Sequence, residues 1–397
     1  MNNQASPLSE TERLKWIDAA RGLAILGIFM VNVPAFNAPY FMYGGEDMFW
    51  PSSLSRAVHI FIDIFFQASF YTLFSFMFGF GMQMIKDRLE EKQLPYRSIL
   101  FRRLLVLIGF GLVHAFLIWH GDILLSYGVL GMVLFAFFNA SNKALAGWAF
   151  GMLLVYVVPI SMMYYSLRDR LGYVNSQAIT AAKLNYGEGS LLDIWRQNLN
   201  DWTYSNSPDV IPYLALSLIP MFLLGMLTAR KKWLHEPAKY RGAINKWWIV
   251  TGAIFLLFKA GPYLFGNPSW FSILQDGVGG SASAVFYVLS ITLLFQTRKG
   301  SQSLNGLTWV GRMSLSNYIL QSLFSFLLFY SVGLGWYGEV SPFLSFLIVL
   351  CFYGLQVYVS KLWLAKYKYG PLEWVWRSLT YMRKQPMKRK QPASFSR

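Results

Sequence analysis

The chain has 397 residues, of which 55% are hydrophobic, 18% aromatic and only 14% charged, with a mean hydropathy of +0.38. A soluble domain carries about a quarter charged residues. Apolar runs of about twenty residues recur along the chain, so composition excludes the soluble classes and implies an all-α integral membrane protein. The formal net charge of +16 would suit a nucleic-acid binder, but its distribution assigns it to topology, and no nucleic-acid partner is expected.

Residues 1–16 form a polar N-terminal segment. The first span is expected over Ile17 to Phe36, with Pro34 and Pro39 at its exit and an aromatic interfacial stretch reaching Pro51. The second covers Val58 to Ile85, long enough to be tilted or broken, with Gly79 and Gly81 allowing close packing. After a charged connection come Phe101–Trp119, Ile123–Phe138 and Ala144–Tyr165. A polar extracytoplasmic segment follows over 167–209, amphipathic around Leu191–Trp202. The sixth span, Val210–Thr228, closes an N-terminal half over 17–228. The C-terminal half, 229–380, holds Trp247–Phe265, Val278–Phe295, Leu315–Val332 and Pro342–Trp363. An interfacial helix is expected over 371–382, with Glu373 and Arg377 one turn apart, followed by a basic tail over 383–397.

Ten spans put both termini on one side. With that topology, 29 of the 35 Lys and Arg residues fall on the side of the termini, which the positive-inside rule assigns to the cytoplasm. The single cysteine, Cys351, excludes an internal disulfide, and four histidines without a ligand-type spacing argue against a metal. Phosphate-binding glycine loops and nucleophile elbows are absent from the sequence.

Ionisable residues inside apolar spans are the candidates for function. On the first span Asp18, Arg21, Ile25, Ile28 and Asn32 share a face. They read either as a structural ion pair or as an anion site at the cytoplasmic mouth, with Asn32 deeper in the same cavity. On the second, His59, Asp63, Gln67 and Tyr71 form a stripe, and Asp63 is spaced to hold the His59 imidazole. On the third, Arg103, Leu107, Phe110 and His114 line up, while His120 and Asp122 occupy the following turn, where Asp122 is placed to cap the next helix. On the ninth, Ser314, Asn317, Gln321 and Ser325 form a stripe that reads as interhelical bonding or as a cavity wall. Lys259 beside Gly261-Pro262 marks a break in the seventh helix.

Five segments carry a resemblance: Arg13 to Gly22 (Arg-Leu-Lys-Trp-Ile-Asp-Ala-Ala-Arg-Gly), Leu73 to Gly79, His114 with Gly121 to Leu124, Gly311 to Ser322, and Tyr369 to Arg377. In this order they resemble the YeiB-like bacterial membrane proteins, whose C-terminal part is a domain of unknown function. The resemblance implies the bacterial cytoplasmic (inner) membrane. The Arg–Asp–Arg-Gly opening is more distantly similar to the acyltransferase-three family and to the lysosomal heparan-glucosaminide N-acetyltransferase. That similarity implies an acyl group passed from cytoplasmic acyl-CoA, as co-substrate, to a glycan or lipid acceptor. Where the acyltransferase-three pattern carries a histidine on the first helix this chain has Asn32, so a base falls to His59, His114 or His120.

The leading expectation is therefore an acyltransferase-like membrane protein without a resident cofactor or metal. Arg13, Arg21, Arg102 and Arg103 would hold the anionic donor, oriented by Asp18. His114, His59 or His120 would act as base, oriented by Asp122, and Asn32, Asp63, Asn317 and Gln321 would line the cavity. The alternative is a transporter or exporter of a small anionic or lipidic solute, with Lys259 at a broken helix. A third reading gives the polar groups to packing alone. Oligomerisation is left open.

Overall fold

A computed structural model describes residues 13–389, so the expectations for residues 1–12 and for the tail from 390 onward lie outside the described residues. Within them the chain is helical, with a single isolated antiparallel bridge between Tyr367 and Lys388. Eight helices are long and apolar enough to cross a membrane, which makes this a multi-pass membrane protein. The other two expected spans are helical but short. Ser314–Phe329 has 16 residues, about 24 Å of rise against a hydrocarbon core of about 30 Å. The expected fourth span divides into Leu124–Gly131 and Leu134–Phe137.

The elements that position the site are α1 (Lys15–Asn37), α2 (Ser53–Phe65), α3 (Ser69–Glu91), α4 (Tyr96–Leu117) and α5 (Leu124–Gly131). Those that follow are α6 (Ser176–Gly187), α7 (Leu191–Ser205), α8 (Ile211–Arg230), α9 (Asn305–Arg312), α10 (Ser314–Phe329), α11 (Pro342–Lys366) and α12 (Pro371–Thr380). The long second apolar stretch is broken, as its length suggested. Ala68, with φ of 60°, separates α2 from α3. The segment 167–209, expected as a polar loop, folds into α6 and α7, the latter opened by a Ser190/Asp193 capping box.

Helix α1 is the axis of the bundle, packing on α3, α9, α10 and α11. Its Ala19, Ala20, Gly22, Ala24 and Gly27 give it a small-residue surface. This matters because lipid is as apolar as a leucine side chain, so helices associate by close packing rather than by escape from water. At the α1–α9 crossing a Cβ on Gly22 would lie 2.0 Å from the Leu307 carbonyl oxygen, and one on Gly311 would lie 1.8 Å from that of Asp18. The α3–α8 crossing is built the same way: Gly79 faces the Phe222 carbonyl and Gly225 that of Phe76, at 1.9 and 2.0 Å from where a Cβ would sit. Arg230 at the end of α8 donates to the carbonyls of Phe137, Phe138 and Ala140. It thereby satisfies backbone groups that a broken helix leaves open.

From Leu256 onward the seventh span leaves the α-helical pattern, running as π-helix over Leu256–Ala260, which includes Lys259, and as 3₁₀-helix over Gly261–Phe265. The expected break is there. Facing it, Gln275–Gly280 is a second π-helical stretch.

Candidate functional site

The five residues of the first-helix stripe divide at one point. Asp18, Arg21, Ile25 and Ile28 all line a half-open cavity of about 210 Å³, whereas Asn32 is not among its lining residues. Around the cavity stand six arginines, Arg13, Arg21, Arg88, Arg103, Arg312 and Arg377, against the carboxylates of Asp18 and Glu373. Deeper in, the wall is apolar (Ile25, Ile28, Phe74, Met77, Leu107, Ile123) apart from Tyr127 and Tyr318. The site is thus amphipathic along its depth, cationic at one end and oily at the other.

Local interactions hold the cations in place. Asp18 accepts two bonds from Arg13, at 3.0 and 2.9 Å, and one from Arg21 at 3.4 Å. Gly81 opposite leaves room for the Arg21 guanidinium, which would lie 3.5 Å from a Cβ there. The Arg103 guanidinium stacks 3.7 Å above the Trp376 ring, and the Trp376 indole N–H donates to the Arg103 carbonyl at 2.9 Å. Arg88 donates to the Tyr381 hydroxyl.

Helix α12 was expected to lie on the membrane surface. It forms a wall of the cavity, contributing Glu373, Trp376 and Arg377. Glu373 is what docks it. Its carboxylate accepts the backbone N–H groups of Leu315 (2.7 Å) and Ser316 (3.1 Å) and the Ser316 hydroxyl, capping the free end of α10. Burial raises the Glu373 pKa, opposed by these hydrogen bonds. Arg377 is held below the usual guanidinium range by burial and by the nearby Arg13 cation.

Below the arginines, His114 sits in the last turn of α4. It lies eleven residues past Arg103, about 16 Å along the helix. The imidazole is fully buried and both of its nitrogens are engaged. Nδ1 is 2.8 Å from Asp122 Oδ1 and Nε2 is 2.8 Å from Ser322 Oγ. A carboxylate only accepts, so Nδ1 carries the proton and Nε2 presents a lone pair to the serine hydroxyl. The other Asp122 oxygen accepts Leu125 N–H at 2.6 Å, so the expected cap on the following helix is made. Tyr318 connects this group to the cavity: it lines the wall, and its ring lies 5.0 Å from the imidazole. Its hydroxyl is buried near the Ile123 backbone and donates to no acceptor among the described residues.

The remaining sequence candidates lie elsewhere. Arg102 points away from the cavity and donates to the Thr380 carbonyl at 3.1 Å, because neighbouring positions on a helix diverge by about 100°. His59 and Asp63 do not pair with each other. His59 lies 3.2 Å from Glu46, while Asp63 accepts from Tyr263, Gln275 and Lys259. Lys259, fully buried, also donates to Asp276 at 2.8 Å.

His120 belongs to a polar layer at the far end, where α6, α7 and the short helix Tyr40–Tyr43 meet. There Asp201 accepts from Tyr43, Tyr186 and Gln197, and lies 3.7 Å from the imidazole. Burial lowers the His120 pKa, with Asp201 opposing. Asn317 and Gln321 turn toward α11 rather than the cavity, bonding to Ser360 and Gln356 at 3.1 and 2.8 Å. Those two residues bond helices together, while Ser314 of the same stripe lines the cavity.

Arg88, Arg312, Arg377, Tyr318 and Ser322 were not singled out from the sequence. The last four belong to segments that carry the family resemblance, which was the available signal.

Residues 228–383 match the family described as "Protein of unknown function (DUF418)". Over nearly the whole chain, the protein is 35% identical to the uncharacterized protein YxaH of Bacillus subtilis, covering 97% of this chain and 98% of that one. It is 28% identical to the uncharacterized protein YeiB of Escherichia coli, covering 93% and 96%. No solved structure matches. Full-length similarity of this kind, together with the match over the C-terminal half, shows that the chain belongs to the YeiB-like family of multi-pass membrane proteins.

Proposed function

We propose that this protein is a membrane acyltransferase of the bacterial cytoplasmic membrane, taking its acyl group from acyl-CoA on the arginine side and passing it to a glycan or lipid acceptor. The observation that carries the reading is His114. It is held by Asp122 with Nε2 turned to Ser322, behind the Tyr318 wall of a cavity that is arginine-rimmed at the mouth and apolar within. Arginine forks bind phosphates in bidentate fashion and stay charged when buried, which suits a nucleotide donor. The volume of about 210 Å³ is below the roughly 300–1,000 Å³ that encloses a whole drug-sized ligand. The nucleotide therefore stays at the rim, and only the thioester end descends. The 29 of 35 basic residues on the side of the termini support a cytoplasmic mouth.

His114 supplies base catalysis, worth about 10²–10⁴ in rate. The test is acyl transfer from labelled acyl-CoA by the full chain in proteoliposomes. His114→Ala lowers the rate by at least about 10²-fold, while His59→Ala, outside the cavity, leaves it within a few-fold. Undiminished transfer by His114→Ala overturns the assignment. Transport of a small anionic solute is the second reading, favoured by the buried Lys259 between Asp63 and Asp276 at facing π-helical stretches. Solute flux without acyl-CoA would support it.

A further inference from the structure

His114 poses a problem for a base that acts directly on the acceptor. Both ring nitrogens are taken, and the one with a free lone pair faces Ser322 Oγ at 2.8 Å. To deprotonate an incoming hydroxyl it would first have to give up that partner. The serine, for its part, has one competing acceptor among the described residues, the Tyr318 carbonyl one turn back, at a longer 3.3 Å. Asp122, His114 and Ser322 are therefore arranged as carboxylate, oriented imidazole and hydroxyl, drawn from the turn before α5, from α4 and from α10. That is the geometry of an activated nucleophile. Side-chain exposure of His114 and Asp122 is 0%, and Ser322 is 2% exposed. Dry surroundings of this kind protect an ester from hydrolysis.

We propose that Ser322 carries the acyl group covalently, so that transfer runs in two displacements; this rests on the acyltransferase reading given above. In the first, the Ser322 hydroxyl proton moves to His114 Nε2 as Oγ attacks the thioester carbonyl. The C–S bond breaks, and the leaving thiolate takes the proton from Nε2. In the second, an acceptor hydroxyl gives its proton to Nε2 and attacks the serine ester. The C–Oγ bond breaks, and Oγ recovers the proton. No electrons are exchanged with any other reagent. Tyr318 stands between the cavity and this group, with its ring on the imidazole and a hydroxyl that has no acceptor among the described residues. Its ring turns aside to admit the acyl carbonyl, and the hydroxyl is then a side-chain donor on the cavity wall for the developing oxyanion.

The experiment uses the full chain in proteoliposomes, in a Cys351→Ser background that removes its only thiol. Acetyl-CoA and palmitoyl-CoA are the probes, with no acceptor added. The expected result is release of one free CoA thiol per protein in a burst. The matching acyl mass should lie on the peptide containing Ser322 and be released by hydroxylamine. Ser322→Ala loses both the burst and the adduct, lowers transfer by about 10³-fold or more, and keeps the wild-type melting temperature and donor affinity. Ser322→Cys restores the adduct as a thioester, which separates a lost nucleophile from a lost fold. Wild-type-like transfer by Ser322→Ala, or an adduct at another residue, overturns the covalent step and leaves acyl transfer standing. If neither thioester yields thiol release or transfer to any acceptor, both readings fall together.

Discussion

Replacing Asp122 separates chemistry from folding at the buried histidine. The carboxylate has two bonds, one to His114 Nδ1 at 2.8 Å and one to the Leu125 N–H at 2.6 Å. In Asp122→Asn the amide oxygen can keep Leu125, but its NH₂ then faces Nδ1. The imidazole must present a lone pair there and carry its proton on Nε2, where it meets Ser322 as a donor and can no longer accept. Exchanging a charge-assisted hydrogen bond for a neutral one costs about 1 kcal/mol, whereas a wrong-tautomer histidine costs about 10⁴ in rate. Asp122→Ala differs in kind. It removes a helix cap, about 0.5–2 kcal/mol, and leaves a buried imidazole N–H unsatisfied, about 1–3 kcal/mol. Melting curves in detergent, read beside turnover in proteoliposomes, should show Asp122→Asn folded and nearly inactive and Asp122→Ala both inactive and clearly destabilised. An active Asp122→Asn, or one that melts as early as the alanine variant, would refute the tautomer argument.

Arg21→Gln and Arg103→Gln should each weaken acyl-CoA binding by about 10–100-fold, the size of one charge-assisted bond. The loss should shrink as salt rises, measured by titration calorimetry on purified protein. Arg102→Gln, pointing away from the cavity, should leave binding unchanged. His120 has a pKa lowered by burial, so the unfolded chain binds its proton first. Its contribution to stability is therefore complete above the ordinary value of about 6.5 and is lost as pH falls from there toward the folded pKa. His120→Gln should flatten the fall in melting temperature between about pH 7 and pH 5.5. Elsewhere in the bundle, Lys259→Met leaves Asp63 and Asp276 without their shared cation. A cost of about 3–5 kcal/mol is expected, and the triple change with Asp63→Asn and Asp276→Asn should recover most of the lost melting temperature.

The membrane-spanning helices were legible because the signal is local: a run of apolar residues long enough to cross the bilayer needs no knowledge of its neighbours. Two expected spans failed the length test for reasons also visible locally, since Ser314–Phe329 is short and the segment after His120 is broken between Gly131 and Leu134. The site was only half legible. Helical spacing grouped Asp18, Arg21, Ile25 and Ile28 correctly, because residues one turn apart share a face whatever lies opposite. The same rule paired His59 with Asp63 and failed. Spacing says which residues are able to meet, and Lys259, about two hundred positions away, offers that carboxylate a full charge which a neutral imidazole does not.

Which helix faces which is a long-range fact, and the functional reading turns on it. Nothing in the stretch around Ser322 distinguishes it from Ser314, Ser316 or Ser325 on the same helix. Ser325 is just as buried and its hydroxyl has no hydrogen-bond partner among the described residues, while Ser316 serves the Glu373 cap. Ser322 becomes chemically distinct only because α4 ends within hydrogen-bonding distance of it, and α4 ends there because the turn at 118–123 lets Asp122 fold back onto the imidazole. The same turn places Ile123 on the cavity wall, so a single non-helical segment both orients the histidine and shapes the floor above it. Straightening that turn would preserve every apolar span in the sequence and still abolish the site.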